Sequence, residues 1–314
     1  MRYYIGIDGG GTKTKFTLAG EDGHVIRSCT GPTCHYLQCG ADGLTDVLRK
    51  GIDTLSEGYE ISRMFIGCAG YGDVTGDTPM LDEAIKTAAG DIPFDAGNDC
   101  ENALAGALGG ETGINIIAGT GSMGCGVNSD GKILRCGGWH HAIGSDEGSA
   151  YWIGWRILKE FLRQSDGRDA VTDLYSALKD RLAISSDDQI ITRVVEEWDL
   201  DRTKIASIAP LCAELYEAGD PFAVQIINDA ARELADIAIA LYRRLGFGSS
   251  ADEAPVKVSG TGGVFRMGRP LTEPFASILS AEGMEYVPPL YEPDIGSVIL
   301  AMKADSISCL PDIR

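Results

Sequence analysis

The sequence has little positive charge and no long apolar run. Its 314 residues include 27 Lys and Arg against 46 Asp and Glu, which gives a formal net charge of −19. This negative charge would repel the backbone of a nucleic acid or an anionic membrane surface. No apolar run approaches the roughly 18 to 20 residues that are needed to cross a bilayer. The composition therefore predicts a soluble protein with no nucleic-acid partner and no membrane partner.

Cysteine pairing motifs are absent as well. The nine Cys residues form no CxxC pair and no zinc-binding pattern. The chain also shows no secretion signal, since Met1-Arg2-Tyr3-Tyr4 runs directly into an apolar strand pattern. We therefore expect a cytoplasmic protein with reduced thiols, whose individual roles the sequence does not define.

One pattern occurs twice, at residues 3–26 and again at residues 113–134. Each copy reads strand, glycine turn, strand, Asp-Gly turn, strand, and helical patterns follow, among them one over residues 205–218. A repeat of this kind indicates a duplicated α/β fold. We predict a hinge at 112–114, an N-terminal α/β domain over 1–112 and a C-terminal α/β domain over 113–314. In an alternative arrangement, the last helix, at about 294–308, packs back on the N-terminal domain.

The first glycine turn, residues 9–13, follows Asp8 and lies between two predicted strands. Its Gly9, Gly10 and Gly11 let backbone N–H groups approach a phosphate, and Thr12 and Lys13 add donors. Asp8 would repel a triphosphate unless Mg²⁺ lay between them. A tight hairpin with an Asx turn is the competing interpretation. The turn is not a Walker loop, because GxxxxGK[ST] is absent, and not a dinucleotide fingerprint, because a strand follows it.

The second glycine turn, residues 119–122, lies at the same point of the second copy. It contains Gly119, Thr120, Gly121 and Ser122. Two such turns in equivalent positions of a duplicated fold favour a phosphate chain bound by both of them. The pair is therefore far more specific than either turn alone.

Asp99 lies between a short predicted strand and an Ala-rich helix, in the segment GNDCEN. An Asp near a helix start is most often an N-cap. A phosphotransferase, however, needs a carboxylate that accepts the proton of the acceptor hydroxyl. Asp99 is the best-placed candidate for that base, and both interpretations stay open.

The segment GGWHHAIGSDEGS, residues 137–149, combines an indole, imidazoles and two carboxylates before a helix. These groups suit a polyhydroxylated ligand, because carboxylates accept hydroxyl hydrogens and an aromatic face covers a sugar ring. Alternatively, Asp146 and Glu147 only favour the start of the next helix. His140 and His141 do not form a metal pair, since adjacent side chains diverge on an extended chain.

Five segments together resemble the BadF/BadG/BcrA/BcrD group within the superfamily of sugar kinases, heat-shock ATPases and actin, a group that includes N-acetylglucosamine kinase. The segments, in chain order, are GIDGGGTKTK, GNDCENALAGA, IAGTGS, GGWHHAIGSDEGSAYWIG and VSGTGGVF. The resemblance implies an α/β fold of two ribonuclease H-like domains with a cleft between them. It also implies an enzyme that uses ATP and Mg²⁺ to phosphorylate the 6-hydroxyl of an N-acetylated amino sugar.

The resemblance further implies a role for each matching residue. Asp8 would hold Mg²⁺ through water, and Asp99 would be the base. The residues implied to bind ATP and its phosphates are Asp8, Gly9, Gly10, Gly11, Thr12, Lys13, Thr120, Gly121, Ser122, Gly260, Thr261, Gly262 and Gly263. The residues implied to bind the sugar are Cys34, His35, Tyr36, Asp99, Thr120, Gly138, Trp139, His140, Asp146 and Glu147.

Two departures from the family pattern leave the sugar undefined. An Asn-His-Trp segment of the family corresponds to Cys34-His35-Tyr36, and Ser145 is an extra residue before Asp146. N-Acetylglucosamine is the first expectation and N-acetylmuramic acid the second, because a wider pocket at Cys34 would suit a lactyl group. The sequence does not define whether glucosamine is an acceptor, which nucleotide is preferred or how many subunits assemble. The resemblance implies a homodimer formed through the C-terminal domain.

Another branch of the same group provides the alternative function. Its members activate 2-hydroxyacyl-CoA dehydratases by ATP hydrolysis and share a [4Fe–4S] cluster between two subunits, which needs two Cys from each subunit. Cys100 matches this branch, but residues 143–147 read IGSDE, where the second Cys is expected. A sugar-sensing repressor is disfavoured, because no helix-turn-helix precedes Tyr3.

Overall fold

The computed structural model describes residues 1–74, 76–248 and 254–307. The chain divides into a first unit, Met1–Thr112 with the residues from Pro288 onward, and a second unit, Gly113–Val287. The strands are β1 (Tyr3–Gly9), β2 (Lys13–Gly20), β3 (Val25–Pro32), β4 (Ile61–Cys68), β5 (Phe94–Asn98), β6 (Gly113–Ala118), β7 (Ser122–Val127), β8 (Ile133–Gly137), β9 (Val256–Thr261) and β10 (Met284–Val287).

Helices make up most of the remaining chain. They are α1 (Tyr36–Ser56), α2 (Thr78–Ala89), α3 (Asp99–Leu108), α4 (Ala150–Ser165), α5 (Asp173–Leu182), α6 (Gln189–Ile191), α7 (Arg202–Ala206), α8 (Ala209–Glu217), α9 (Pro221–Arg244), α10 (Arg269–Ala281) and α11 (Pro293–Ala304). Short 3₁₀ turns span His141–Ile143 and Phe265–Met267, and a π-helical segment spans Thr192–Glu197. Within the described ranges, no helix has both the length and the apolar character that a bilayer crossing requires.

The first unit is built on a five-stranded mixed sheet with the order β3-β2-β1-β4-β5. Strand β1 is antiparallel to β2 and parallel to β4. Because side chains alternate along a strand, Ile5 and Ile7 of β1 join the core beneath α1, whereas Tyr4 joins α11 on the opposite face. All three are fully buried. The central strand is thus covered on both faces, and its end at Gly9 is where the first glycine turn begins.

The last helix, α11, packs on β1 and α3 of the first unit. Near its start, the buried Asp294 accepts hydrogen bonds from Lys15 Nζ at 2.9 Å and from Thr17 Oγ1 at 2.6 Å. A Cβ on Gly296 would lie 1.9 Å from the carbonyl oxygen of Asn102, so this close approach of α11 to α3 requires glycine. The last helix, predicted at about 294–308 with two placements left open, lies with the first unit over its described residues.

The second unit repeats the strand arrangement of the first. Its sheet has the order β10-β9-β6-β7-β8, with β6 antiparallel to β7 and parallel to β9. The long helix α9 packs on β6, β7 and β8. A Cβ on Gly124 would lie 2.7 Å from Ile237 Cγ2, so the glycine lets the helix approach β7 closely. The predicted α/β class, with one strand pattern used twice, is confirmed.

The predicted single helix over 205–218 is wrong in its extent. The structure has two helices there, because α7 ends at Ala206 and α8 begins at Ala209. Pro210 lies in the first turn of α8. Proline has no N–H and is tolerated at a helix start but not in a helix interior, so it separates the two segments. Arg202 is therefore the first residue of the short helix α7.

Candidate active site

The first glycine turn connects β1 to β2 through Gly10, Gly11 and Thr12. Its carbonyl groups are fixed from behind: the Gly10 carbonyl accepts from Thr33 Oγ1 and the Gly11 carbonyl from Gln38 Nε2, both at 2.9 Å. The Gly10 N–H donates to the Lys13 carbonyl at 3.1 Å. In the described part of the chain, the exposed N–H groups of Gly11 and Thr12 have no acceptor. The turn therefore offers backbone donors to an anion.

Asp8 stands at the end of β1, next to this turn. Its Oδ1 accepts a hydrogen bond from Asn102 Nδ2 at 2.9 Å. Burial raises the pKa of Asp8 to about 6, because the hydrogen bond from Asn102 and the charge of Lys15 only partly offset desolvation and the charge of Asp294. An environment that disfavours a lone carboxylate suits a carboxylate that is paired with a cation.

The groups around Asp8 fit a magnesium ion held mainly through water. Within the described residues, Asn102 Oδ1 is buried beside Asp8 and has no hydrogen-bond partner. Mg²⁺ prefers oxygen ligands and usually keeps several waters, with one or two carboxylates beside substrate phosphates. The described residues contain no cluster of three or more His, Cys, Asp or Glu side chains that could hold a metal ion. A site of this water-mediated kind needs no such cluster.

Asp99 is the first residue of α3, but it is not the residue that caps the helix. Asn98 is the N-cap, and its side chain accepts from the Cys100 N–H at 3.2 Å while Glu101 completes a capping box. Asn98 therefore takes the N-cap position for which Asp99 was the candidate. The charges of Asp99 and Asp8 both contribute to raising the pKa of Cys68, behind its hydrogen bond to Cys34 and its burial. Asp99, Asp8 and Cys68 thus lie in one neighbourhood of the first unit.

The segment Cys34-His35-Tyr36 faces partly into the protein. The Cys34 thiol is fully buried and lies 3.8 Å from Cys68 Sγ. His35 caps α1, with its Nδ1 accepting from the Leu37 N–H at 3.3 Å. Tyr36 donates from its hydroxyl to Asp77 at 2.7 Å, and this bond is the main reason that the pKa of Tyr36 rises to about 12. Of the three predicted sugar contacts, only His35 keeps a partly exposed ring.

The second glycine turn connects β6 to β7 and is held by the start of α4. The Gly119 carbonyl accepts from the Ala150 N–H at 2.9 Å, and the Thr120 carbonyl accepts from the Tyr151 N–H at 3.3 Å. Ser122 donates from its hydroxyl to the Glu147 carbonyl at 2.6 Å. Over the ranges that the structure describes, the N–H groups of Thr120 and Gly121 have no acceptor. Each turn thus follows the central strand of its own sheet and presents two N–H groups without acceptors in the described chain.

Asp146 lies against the second turn in a strained backbone conformation, with φ of 73°. It is 4% exposed. Its Oδ1 accepts from the Ser122 N–H at 3.1 Å, and its Oδ2 accepts from Arg202 Nη2. Both oxygens of this predicted sugar ligand are therefore already bound to the protein, and the carboxylate fixes the turn to Arg202.

A cavity of about 360 Å³ opens beside Glu147. Its polar lining comes from the predicted sugar segment and from α9: Ser145, Glu147, Glu233 and Asp236. Burial, followed by the charges of Glu147 and Asp236, raises the pKa of Glu233. Trp139 also borders the cavity and is 82% exposed. Carboxylates beside an accessible indole suit a polyhydroxylated ring, and Glu147 and Trp139 are the two predicted sugar contacts that line this cavity.

Two further predicted sugar contacts of this segment, Gly138 and His140, lie at the surface. Gly138 has φ of 70°, which favours glycine, and a Cβ there would lie 3.0 Å from Met123 Cβ. His140 is exposed, and its Nδ1 accepts from the Ala142 N–H at 3.2 Å. His140 and His141 have ring centroids 4.3 Å apart. Neither residue belongs to a cluster of metal-ligating groups in the described part of the chain.

Residues 260–263 span the end of β9 and the turn after it, beside the second glycine turn. A Cβ on Gly262, which has φ of 98°, would lie 2.4 Å from the Ala118 carbonyl oxygen. That carbonyl also accepts from the Val264 N–H at 2.9 Å. Thr261 accepts from Asn115 Nδ2 at 3.1 Å. The predicted adenosine loop and second phosphate turn are therefore neighbours in the second unit.

Two residues at these sites were missed from the sequence. Asn102 binds Asp8 from 94 positions away, and Arg202 binds Asp146 from 56 positions away. Asn102 lies within the segment GNDCEN, three residues after Asp99, so its polar side chain at a helix start was an available signal. Arg202 lies in a segment without any motif, and only the folded chain brings it to the turn.

The fold defines the class of protein first, an α/β protein with two five-stranded mixed sheets and the fold of actin- and hexokinase-type sugar kinases. The fold matches the crystal structure of a Chromobacterium violaceum protein assigned as an N-acetylglucosamine kinase, with a TM-score of 0.72 and 24% identity. The match covers 96% of this chain and 99% of that one. The profile of the BadF/BadG/BcrA/BcrD ATPase family matches residues 5–301. The chain therefore belongs to that family, as its motifs predicted.

Two characterised relatives are similar over most of their length. An N-acetylmuramic acid/N-acetylglucosamine kinase of Clostridium acetobutylicum is 34% identical over 239 residues, which span 74% of this chain and 77% of the relative. An N-acetyl-D-glucosamine kinase of Dictyostelium discoideum is 28% identical over 321 residues, which span 96% of this chain and 98% of the relative. Both relatives are amino-sugar kinases.

Proposed function

We propose that this protein is an ATP-dependent kinase that phosphorylates the 6-hydroxyl of an N-acetylated amino sugar. N-Acetylglucosamine and N-acetylmuramic acid, the two sugars in the name of the Clostridium relative, are the expected acceptors. The observation that carries the proposal is the repeated glycine turn. In each of the two sheets it follows the central strand, and among the described residues two of its backbone N–H groups lack acceptors, those of Gly11 and Thr12 in one turn and of Thr120 and Gly121 in the other. Such N–H groups bind phosphate oxygens.

Phosphoryl transfer requires one bond to form and one to break. The sugar O6 bonds to the γ-phosphorus of ATP, the bond from that phosphorus to the β–γ bridging oxygen breaks, and the hydroxyl proton leaves. Asp99 accepts this proton in our assignment, which its position at the start of α3 and its neighbour Asp8 support. Gly11, Thr12, Thr120 and Gly121 bind the phosphates through N–H groups, and Lys13 adds positive charge.

Asp8 holds Mg²⁺ in this proposal, with Asn102 fixing the orientation of its carboxylate. When bound, the ion neutralises charge on the phosphates. The raised pKa of Asp8, about 6, supports this assignment, because the buried carboxylate gains from a cation next to it. Residues 260–263 bind the adenosine, which their packing against the end of β6 supports.

The sugar contacts of the second unit are assigned to the cavity beside Glu147. Its carboxylates accept hydroxyl hydrogens, and Trp139 covers a ring face. The proposal keeps the expected cytoplasmic homodimer. A face of α4 supports an interface in the second unit, because Trp155 is 37% exposed and Leu162 is 42% exposed, seven positions apart on one side of the helix.

The test is ADP release from Mg·ATP with and without each of five sugars: N-acetylglucosamine, N-acetylmuramic acid, N-acetylmannosamine, glucosamine and glucose. Strong stimulation by an amidosugar, with the 6-phosphate identified by mass and by NMR, would support the proposal and identify the acceptor. ADP release that is indifferent to every sugar would contradict it. The protein should be purified without oxygen, so that the same preparation also tests the alternative.

The alternative is an activator of a 2-hydroxyacyl-CoA dehydratase with a bridging [4Fe–4S] cluster. Cys100, the thiol that suggests it, is fully buried in α3. A ligand to a cluster shared by two subunits needs an accessible sulfur, so this burial disfavours the activator. A brown protein with about four irons per dimer and sugar-independent ATPase activity would nevertheless establish it.

A further inference from the structure

Arg202, at the start of α7, lies directly on the second glycine turn. Its Nη2 stands 2.2 Å from the point that a Cβ on Gly121 would occupy, and Asp146 Oδ1 stands 2.5 Å from the same point. Only a glycine at position 121 leaves room for the guanidinium there. The ion pair between Arg202 Nη2 and Asp146 Oδ2 anchors the side chain in this place.

The guanidinium has more donors than the protein uses. An arginine carries five N–H donors. Among the described residues, the structure gives Arg202 one hydrogen-bond partner, Asp146 Oδ2, and its buried Nε has none. The Arg202 side chain is nevertheless 37% exposed, so it remains accessible from solvent. A cation that is anchored but mostly unsatisfied is suited to bind an anionic ligand.

Asp146 fixes both groups that an anion would meet. One oxygen binds the Ser122 N–H of the turn and the other binds Arg202. A third polar group, His141, lies close by: burial, and then the positive charge of Arg202, lowers its pKa. His141 is therefore mainly uncharged at neutral pH, and Arg202 is the cation of this cluster.

We propose that Arg202 binds the terminal phosphoryl group of ATP at the second glycine turn and that Asp146 is the residue that positions it. This inference rests on the proposed kinase function. The guanidinium donates to phosphate oxygens beside the N–H groups of Thr120 and Gly121, and it stabilises the negative charge there during transfer. An arginine suits this role because its planar group binds phosphate oxygens in pairs.

Measurements of nucleotide binding to the full-length protein distinguish phosphate binding by Arg202 from a purely structural role. Calorimetry with ATP, ADP and adenosine should show that Arg202→Gln weakens ATP binding about tenfold or more, while adenosine binding stays within about twofold. Turnover should fall about 10²-fold, the usual cost of removing one preorganised donor, and Arg202→Lys should retain part of it. Low concentrations of guanidinium should partly restore turnover to Arg202→Ala.

The matched control is Arg181→Gln, in the same unit. Arg181 is 36% exposed and pairs with Glu214 on the surface, so its loss should leave nucleotide binding and turnover unchanged. If Arg202→Gln does not fold, because Asp146 is left without its cation, the double substitution Arg202→Gln/Asp146→Asn removes both charges and allows the same binding measurements.

Two results would overturn the inference. One is unchanged ATP affinity in folded Arg202→Gln, and the other is an equal loss for ATP, ADP and adenosine that Asp146→Asn reproduces. A wild-type protein that binds ATP but phosphorylates no amino sugar would instead contradict the proposed function. The two failures are therefore distinguishable.

Discussion

Asn102 donates a hydrogen bond from Nδ2 to Asp8 Oδ1 across 2.9 Å, which joins the first turn of α3 to the end of β1. The same amide leaves its oxygen buried and, within the part of the chain that the structure describes, without a partner. A Cβ on Gly67 of β4 would lie 2.0 Å from that oxygen, so the glycine provides the space for Asn102. Strands β1 and β4 and helix α3 therefore together fix the Asp8 carboxylate. Its burial disfavours the charged form.

Asp8→Asn is expected to stabilise the protein at neutral pH and to impair its use of Mg·ATP. The pKa of Asp8 is raised from 3.8 to about 6, so the folded state favours the protonated form. Since each pKa unit corresponds to about 1.36 kcal/mol, removing the charge should add up to roughly 3 kcal/mol to the free energy of unfolding. The measurement is urea unfolding of both proteins without metal at a series of pH values.

The stability difference between Asp8→Asn and the wild type should increase with pH. Well below pH 3.8, Asp8 is protonated in both the folded and the unfolded state, and the two proteins should differ little. As the pH rises toward 6, the unfolded state ionises first, so the advantage of Asp8→Asn should grow and then level off. An advantage that is greatest in acid would contradict this account. Unchanged Mg²⁺ dependence of turnover would remove Asp8 from the metal role.

The strands could be predicted from the sequence because their signal is local. Residues 3–9 and 113–118 are apolar runs that end in glycine turns, and both proved to be central strands. The break before Pro210 had an equally local signal that outweighs the apolar periodicity around it. By contrast, Asn102 and Arg202 take their roles from side chains 94 and 56 positions away. Periodicity and turn chemistry carry no information about contacts over such separations.

Asp99→Asn is expected to reduce turnover by about 10² to 10⁴, the usual contribution of a general base. Its stability should stay near that of the wild type, because Asn98 and Glu101 form the capping box of α3. The control is Asp91→Asn, at an exposed carboxylate in the turn before β5. Steady-state kinetics and thermal unfolding of the three proteins test this prediction. Near-normal turnover of folded Asp99→Asn would exclude Asp99 as the base.

Cys34→Asn, which restores the residue implied by the family pattern, is expected to destabilise the protein by about 1 to 3 kcal/mol. The reason is the full burial of Cys34, whose sulfur lies 3.8 Å from Cys68 Sγ and would be 2.4 Å from a Cβ on Gly9. A larger polar side chain has little room there, because the sulfur already lies close to Gly9 and Cys68. Cys34→Ala, which only removes the sulfur, should cost less.

Unfolding experiments and kcat/KM for N-acetylglucosamine and N-acetylmuramic acid distinguish a core residue from a sugar ligand at position 34. If the side chain faces the sugar, Cys34→Asn should change the ratio of the two kcat/KM values and leave the unfolding free energy unchanged. We expect the reverse, a loss of stability with little change in that ratio.

Two glycines of the second turn provide a matched pair. A Cβ on Gly121 would meet Arg202 and Asp146 at 2.2 and 2.5 Å, whereas a Cβ on Gly119 has nothing within 4 Å. Gly121→Ala must therefore displace the ion pair and the Ser122 N–H contact, and we expect it to destabilise the second unit by about 1 to 3 kcal/mol and to weaken ATP binding. Gly119→Ala should fold with nearly unchanged stability. Thermal unfolding and ATP titration of both proteins provide the comparison. Equal stability of the two would show that Arg202 can leave the turn at little cost, and the anchored position on which its phosphate role depends would then be lost.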